Sequence, residues 1–308
     1  MDLLSLIKLW IKALRAPFFQ AVIVPTILGA AIAWYRTGIF YSGYFLLTIL
    51  GVVFVNAGTN LANDYFDHKS RADDINKEFT PFSGGSRVIQ EGLISQEKIY
   101  LAAIVFFVLA ILIGLYLSYV RGWAILIIGI IGVLSGYFYT ASPIKIGYRG
   151  WGEFLAGLNC GPLVLLGSYY VQTNSFSMEA LIVSIPVGLL ITAILYINQF
   201  PDYICDKASK KDTLIVRMGP ERAIKGFYLL LIIIHLVIIL AILLGIIPWV
   251  GLMALFTLPL TWKVARLARI NYKGGRKLIP AMSRTIAIHL MTGLLLSCSY
   301  IIAGVLKI

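Results

Sequence analysis

Two stretches of the chain carry acids at helical spacing. NLANDYFD at 60–67 places Asn60, Asp64 and Asp67 at i, i+4 and i+7, and NQFPDYICD at 198–206 places Asn198, Asp202 and Asp206 at i, i+4 and i+8. Each stretch closes an apolar run, so each reads as a helix end whose carboxylates share one face. Carboxylates stacked beside lipid repel one another and are costly to desolvate, so something positive should sit between them. Hard divalent cations answer that need. Mg²⁺ takes a few carboxylates, keeps waters and completes its shell with phosphate oxygens, which makes Asp64, Asp67, Asp202 and Asp206 candidate metal ligands. Arg71, Arg87, Lys145, Arg149, Lys210 and Lys211 fall in the loops around these helix ends, where they could neutralise the outer oxygens of a diphosphate. A solvated ion pair accounts for any one of these acids equally well. Two clusters that each open with Asn-x-x-x-Asp make the metal reading the better one.

The elements that position these residues follow from composition. Of 308 residues, 59% are apolar and only 13% charged, against about 25% charged in a soluble domain, which excludes a water-soluble enzyme. Runs of about 20 apolar residues, the length that spans a bilayer, occur nine times, at 17–35, 43–65, 99–119, 122–140, 151–171, 179–201, 225–245, 247–265 and 284–306. The expected fold is therefore all-α, a single transmembrane domain over 1–308 with nine helices in a bundle. Residues 1–16 read as an interfacial amphipathic helix, and 67–98 and 202–224 as loops of the active site. Twenty-three of the 26 Lys and Arg residues fall in alternate loops on one side, leaving Arg36, Arg121 and Lys307 on the other. This bias predicts a cytoplasmic N terminus, an outside C terminus and a multi-pass cell-membrane protein with its acids at the cytoplasmic mouth. The net charge of +12 is thus a topology signal, and no nucleic acid partner is expected. Cys160, Cys205 and Cys298 lie in or beside apolar runs without CxxC spacing, which argues against a disulfide framework or a zinc site.

The sequence resembles the UbiA superfamily of intramembrane prenyltransferases, most closely the 1,4-dihydroxy-2-naphthoate polyprenyltransferases of menaquinone biosynthesis. The likeness rests on ALRAPFFQAVIVPTILGAAIA at 13–33, NLANDYFD at 60–67, SGGSRVIQEGLIS at 83–95, YTASPIKIGYRGWGE at 139–153, GPLVLLGSYYVQ at 161–172 and NQFPDYICDKASKKDTLIVRMG at 198–219. The resemblance implies nine transmembrane helices, an isoprenyl diphosphate bound through Mg²⁺, with two ions expected, and a small aromatic acceptor. It matches Asn60, Asp64 and Asp67 to the first aspartate motif, Asn198, Asp202 and Asp206 to the second, and Lys211, Lys145 and Arg149 to bases at the diphosphate. Asp73 or Asp74 stands where relatives carry a Gly-x-Asp, here without the Gly, and Lys210 stands where Gly is common.

In the implied reaction the metals and bases stabilise the leaving pyrophosphate, making Asp64 and Asp202 the central acids. A ring face shields the allylic cation; Tyr139 is the preferred residue, with Tyr65, Tyr137 and Phe138 nearby. The aromatic carbon then attacks C1, and the acceptor's carboxyl leaves as carbon dioxide. Arg15, also assigned to the substrate, or Arg149 could hold that carboxyl. SGGSR at 83–87 could offer backbone N–H groups to phosphate. Other acceptors remain open, namely 4-hydroxybenzoate or geranylgeranylglyceryl phosphate. The alternative of another class is a cation-coupled transporter, which expects acids near mid-membrane on broken helices.

Overall fold

The computed structural model describes residues 2–74, 76 and 78–307. It opens with α1 (Leu3–Ala13), whose exposed Leu3, Leu4, Ile7 and Ile11 accompany Lys8 and Lys12, the pattern of a helix lying in the membrane interface. The chain turns at Arg15, in left-handed backbone, and enters α2 (Gln20–Thr37), followed by α3 (Ser42–Lys69), α4 (Gln96–Arg121) and α5 (Trp123–Tyr137). Next come α6 (Gly152–Leu158), carried by a π turn into α7 (Val164–Thr173), then α8 (Met178–Asn198), α9 (Tyr203–Ala208) and α10 (Leu214–Met218). The chain ends with α11 (Pro220–Leu243), α12 (Leu258–Asn271) and α13 (Ile279–Leu306).

Among the described residues, eight helical segments are long and apolar enough to cross a membrane; the ninth expected span falls on α5, with 15 residues. That is about 22 Å of helix against a hydrocarbon core of about 30 Å. α5 stops at Tyr137, well before 140, because Pro143 ends any helical continuation and the chain folds back, with Ile146 and Gly147 N–H groups bonding to Phe138 and Tyr139 carbonyls. α8 likewise stops at Asn198, short of 201, where Pro201 forces a turn. α12 runs past the expected limit of 265 to Asn271 because its bases point outward and leave the packed face apolar.

α8 lies at the centre of the larger core, where Val187, Leu190 and Ile197 meet Phe227 and Ile234 of α11 and Leu296 and Tyr300 of α13. A smaller core joins Ala13 at the end of α1 to Leu61 of α3, Ile99 and Phe107 of α4, and Val88 and Ile94 of the loop between them. Small residues allow the closest approach: a Cβ on Gly188 of α8 would come within 2.6 Å of the Gly157 carbonyl oxygen of α6. These contacts bring the ends of α3 and α8 to the same end of the bundle, with the loops at 70–95, 138–151 and 199–213 folded over them.

Candidate active site

α3 remains helical to Lys69, so Asn60, Asp64 and Asp67 do share a face. The second cluster is built differently. Asp202 precedes α9 in the Pro201 turn and Asp206 sits one turn into α9, so a kink rather than a straight helix presents them. The Asp206 N–H bonds to the Asp202 carbonyl at 2.8 Å, and the Lys211 N–H returns to the Asp206 carbonyl at 2.8 Å, folding Lys211 back over the acids.

A cavity of about 670 Å³ joins the two helix ends. Its mouth is lined by Arg15, Asn60, Asn63, Asp67, Asp73, Asn76, Tyr139, Asn198, Asp202, Asp206 and Lys211, and its depth by apolar residues including Val52, Val55, Ile130, Leu163 and Leu195. Asp67 Oδ1 accepts from the Tyr148 hydroxyl at 2.7 Å, and its Oδ2 lies 3.3 Å from Lys211 Nζ. Asp202 Oδ1 accepts from Asn76 Nδ2 at 2.8 Å. Asp64 does not line the cavity. It is buried just behind the wall, held by the Arg15 guanidinium and by the Ser86 hydroxyl and N–H. Ser86 is how SGGSR contributes, binding a carboxylate of the wall, while Gly84 and Gly85 face the cavity.

The structure separates the two acids after the first motif. Asp73 is buried on the cavity wall against Gly85, whereas Asp74 is exposed and meets His68 at 2.8 Å. Four expected diphosphate bases stand away from the cavity. Arg71 and Arg149 are exposed, the latter donating to the Pro143 carbonyl at 3.3 Å; Lys145 lies over the Tyr148 ring; Arg87 donates to the Asp73 carbonyl and covers Phe79. Arg15, Arg71, Arg87, Lys145 and Lys210 all hold left-handed backbone, a conformation that Gly adopts without cost and that side chains adopt where surrounding contacts impose it.

Five carboxylates (Asp64, Asp67, Asp73, Asp202 and Asp206) thus gather around two half-buried cations, Arg15 and Lys211. Burial, with the charges of Asp67 and Asp64, pushes Asp73 well above the usual carboxylate range. Burial raises Asp202 despite the bond from Asn76, and raises Asp206 to about 7 against the pull of Lys211. Burial works against the charge of Lys211, but Asp67 and Asp206 more than offset it, so its proton is held more firmly than usual. Arg15 is held the same way by Asp64 and Asp73. Burial also keeps the phenols of Tyr139 and Tyr148 neutral.

This donor set fits a hard divalent cation. Acid exceeds base, the donors are oxygens, and Asn63 Oδ1 and Asn198 Oδ1 on the cavity wall are buried without a hydrogen-bond partner among the described residues. Among the described residues no three acidic, His or Cys side chains converge as a closed metal cage. An ion here would therefore take part of its shell from water or a phosphate.

Sequence reasoning missed Tyr148, Asn76, Ser86 and Glu153. Tyr148 touches both clusters: its hydroxyl meets Asp67 and Ser70, its ring lies 5.1 Å from Lys211 Nζ, and its carbonyl accepts the Asp212 N–H at 3.0 Å. An aromatic placed between Lys145 and Arg149 was the available signal. Glu153, fully buried, accepts the Leu214 N–H at 3.3 Å and ties the 139–153 stretch to the second cluster.

Comparison with known proteins identifies the family. Residues 22–300 match the UbiA prenyltransferase family. The chain is similar to a 2-carboxy-1,4-naphthoquinone phytyltransferase from Synechocystis sp., 29% identical over 96% of this chain and 94% of that one. It is also similar to a 1,4-dihydroxy-2-naphthoate octaprenyltransferase from Bacillus subtilis, 30% identical over 70% of this chain and 67% of the other. In fold it resembles a UbiA homologue from Archaeoglobus fulgidus bound to DMAPP and Mg²⁺, with a TM-score of 0.63 at 18% identity over 94% of this chain and 99% of that one. An apo UbiA homologue from Aeropyrum pernix K1 aligns with a TM-score of 0.69 at 13% identity over 94% and 98%. With the match covering nearly the whole chain and the acids of both motifs gathered at one cavity, the chain belongs to the UbiA prenyltransferase family and is a membrane-bound prenyltransferase.

Proposed function

We propose that the protein transfers a polyprenyl group from an isoprenyl diphosphate to 1,4-dihydroxy-2-naphthoate in menaquinone biosynthesis, with two Mg²⁺ ions bound alongside the diphosphate. The observation that carries this reading is the single cavity, which runs from a mouth of buried acids and bases into an apolar groove. A diphosphate headed by an isoprenoid chain has that division of character. The names of the similar naphthoate enzymes support the acceptor. The charge bias of the loops supports a cytoplasmic mouth, nine spans and a cell-membrane location.

Asp67, Asp202 and Asp206, with Asp73 on the same wall, would hold the metal, and Asp64 would keep Arg15 in place beside them. An ion held by these residues would supply positive charge to the departing pyrophosphate. Lys211 and Arg15 add fixed positive charge at the mouth, already desolvated and oriented before substrate arrives. Tyr139 presents its ring to the cavity and, with its phenol neutral, shields the cation without attacking it. The acceptor's aromatic carbon bonds to C1, its carboxyl leaves as carbon dioxide, and pyrophosphate departs. Incubating the purified protein with a panel of prenyl diphosphates and with naphthoate, hydroxybenzoate and glycerol-phosphate acceptors, then reading products by mass spectrometry, tests the assignment. A geranylgeranylated glycerol lipid as sole product would overturn the acceptor but leave the prenyl transfer.

Asp206 makes metal binding depend on pH. Its proton competes with the ion below about 7, so apparent Mg²⁺ affinity should fall about tenfold per pH unit from 7 toward 5 and level off above 7. Calorimetric Mg²⁺ titrations with a non-hydrolysable diphosphate read this directly, and a flat profile across that range removes Asp206 from the ligand set. Without metal the sign is the opposite for stability. The folded chain keeps a proton that the unfolded chain releases near 3.8, so stability declines as pH rises from there toward 7.

Tyr148→Phe keeps the ring beside Lys211 and removes the hydroxyl that orients Asp67. The expected result is about a tenfold to hundredfold higher half-saturating Mg²⁺ concentration with unchanged thermal stability, the size of effect seen when a group supporting a ligand is lost. An unaltered Mg²⁺ dependence would assign Tyr148 to packing alone.

A further inference from the structure

After Glu221 the chain contains no Asp or Glu, yet it carries ten Lys and Arg residues. Five of these form one exposed surface: Lys263, Arg266 and Arg269 on the outer face of α12, and Arg276 and Lys277 in the turn before α13. Lys273, between them, is already engaged with Glu221 at 2.7 Å. Among the described residues no carboxylate lies within ion-pair range of the other five. Trp262 and Ile270 are exposed on the same helix face, and the Arg266 guanidinium sits 5.9 Å from the Trp262 ring. Bases interleaved with an exposed Trp and Ile at the end of a membrane-spanning segment match the headgroup layer of a bilayer.

This surface is at the same end of the bundle as the active site, and one contact joins them. The Phe79 ring carries two guanidinium groups, Arg276 of the patch at 5.0 Å and Arg87 of the loop at 4.8 Å from its centroid. Arg87 also donates to the main-chain carbonyl of Asp73, and the same loop carries Asn76, which binds Asp202. Gly275 abuts the Glu78 carboxylate, fixing the turn against that loop.

We propose that the face formed by Lys263, Arg266, Arg269, Arg276 and Lys277 docks anionic phospholipid headgroups, and that docking steadies the 73–87 loop through the Arg276–Phe79–Arg87 stack. The bases are exposed and spread along a convex helix face rather than gathered in a cradle, so they suit the negative plane of a leaflet and not a single soluble phosphate. The membrane surface thereby contributes to the order of the loop that carries Asp73 and Asn76.

The test uses the full chain in nanodiscs of phosphatidylcholine with or without phosphatidylglycerol, at saturating Mg²⁺. Native mass spectrometry after detergent extraction reads retained phosphatidylglycerol, hydrogen exchange reads the 73–87 loop, and prenyl transfer reads the rate. Wild type should retain phosphatidylglycerol, slow exchange in the loop and gain rate several-fold in the anionic discs. Each neutralised base should lower retention about fivefold, so K263Q/R266Q/R269Q/K277Q should lose it while keeping its phosphatidylcholine rate. R276Q should lower retention only about fivefold, as any single base does, but lose the change in loop exchange altogether. An anionic surface repels the diphosphate, so simple substrate accumulation predicts the opposite change in rate. Equal retention by wild type and the quadruple variant, or loop exchange indifferent to phosphatidylglycerol, overturns the proposal. The lipid and exchange readouts do not need the proposed reaction, so retention and a protected loop without any prenyl transfer would uphold this inference while defeating the functional reading.

Discussion

Asp67→Ala and Asp202→Ala should each reduce Mg²⁺-dependent transfer by at least about a thousandfold while the protein still inserts and purifies. Removal of a carboxylate from such a mouth would take away a ligand for the cation whose positive charge the leaving pyrophosphate needs as its bond breaks, so the loss falls on kcat as well as on binding. The two residues belong to different clusters and have different partners, Tyr148 and Lys211 for one and Asn76 for the other. Their equal importance therefore tests whether both clusters serve one substrate. Asp64→Ala should also inactivate, by another route, since Asp64 holds Arg15 and Ser86 rather than facing the cavity. Product formation across a Mg²⁺ series, with thermal melting as a folding control, decides it. Near wild-type turnover in either Asp67→Ala or Asp202→Ala would remove the site assignment.

Lys211→Gln should weaken diphosphate binding by about a hundredfold or more, because a buried charge-assisted contact is lost from a site already crowded with acid. It has a second, opposite consequence. Lys211 is the cation set against Asp67 and Asp206, and its loss leaves the carboxylates less compensated. The free variant should be less stable by about 3 kcal/mol, the scale of a broken buried pair. Added Mg²⁺ should then restore more of its melting temperature than it adds to wild type. Thermal melts with Mg²⁺ alone, paired with diphosphate titrations, separate the two effects. A variant that binds diphosphate normally would place Lys211 outside the substrate's reach.

Much of this was legible in the residues, and the failures are informative. Apolar run length located the eight segments that are long enough to span among the described residues, and its ninth run falls on the shorter α5, because lipid tolerates little else; the spacing of Asn60, Asp64 and Asp67 specified a shared face because α3 stays helical to its end. The second cluster was found by residue type, but its geometry was not, since Pro201 converts the spacing of 198, 202 and 206 into a kink. The loop bases were the weakest reading. Spacing cannot tell a base that faces the cavity, as Lys211 does, from one that props a loop, as Arg87 does against the Asp73 carbonyl. Tyr148 was missed because its partners lie on α3 and after α9, far from it in sequence. The transporter alternative wanted acids at mid-membrane; here they stand at helix ends around one mouth.

The short α5 has a consequence for the lipid itself. Its far end is fixed by exposed Tyr119 and Trp123 and by Arg121, which donates to the Val171 and Gln172 carbonyls, so that end cannot slide to share the mismatch. The missing length of about 8 Å therefore falls at the Tyr137 end, beside the mouth. Bilayers meet such a deficit by thinning locally, at a fraction of a kcal/mol per Å. The leaflet should dimple where α5 ends, lowering the water surface toward the carboxylates. A lipid-borne diphosphate could then reach the mouth with its charged head still wet and its tail never leaving hydrocarbon.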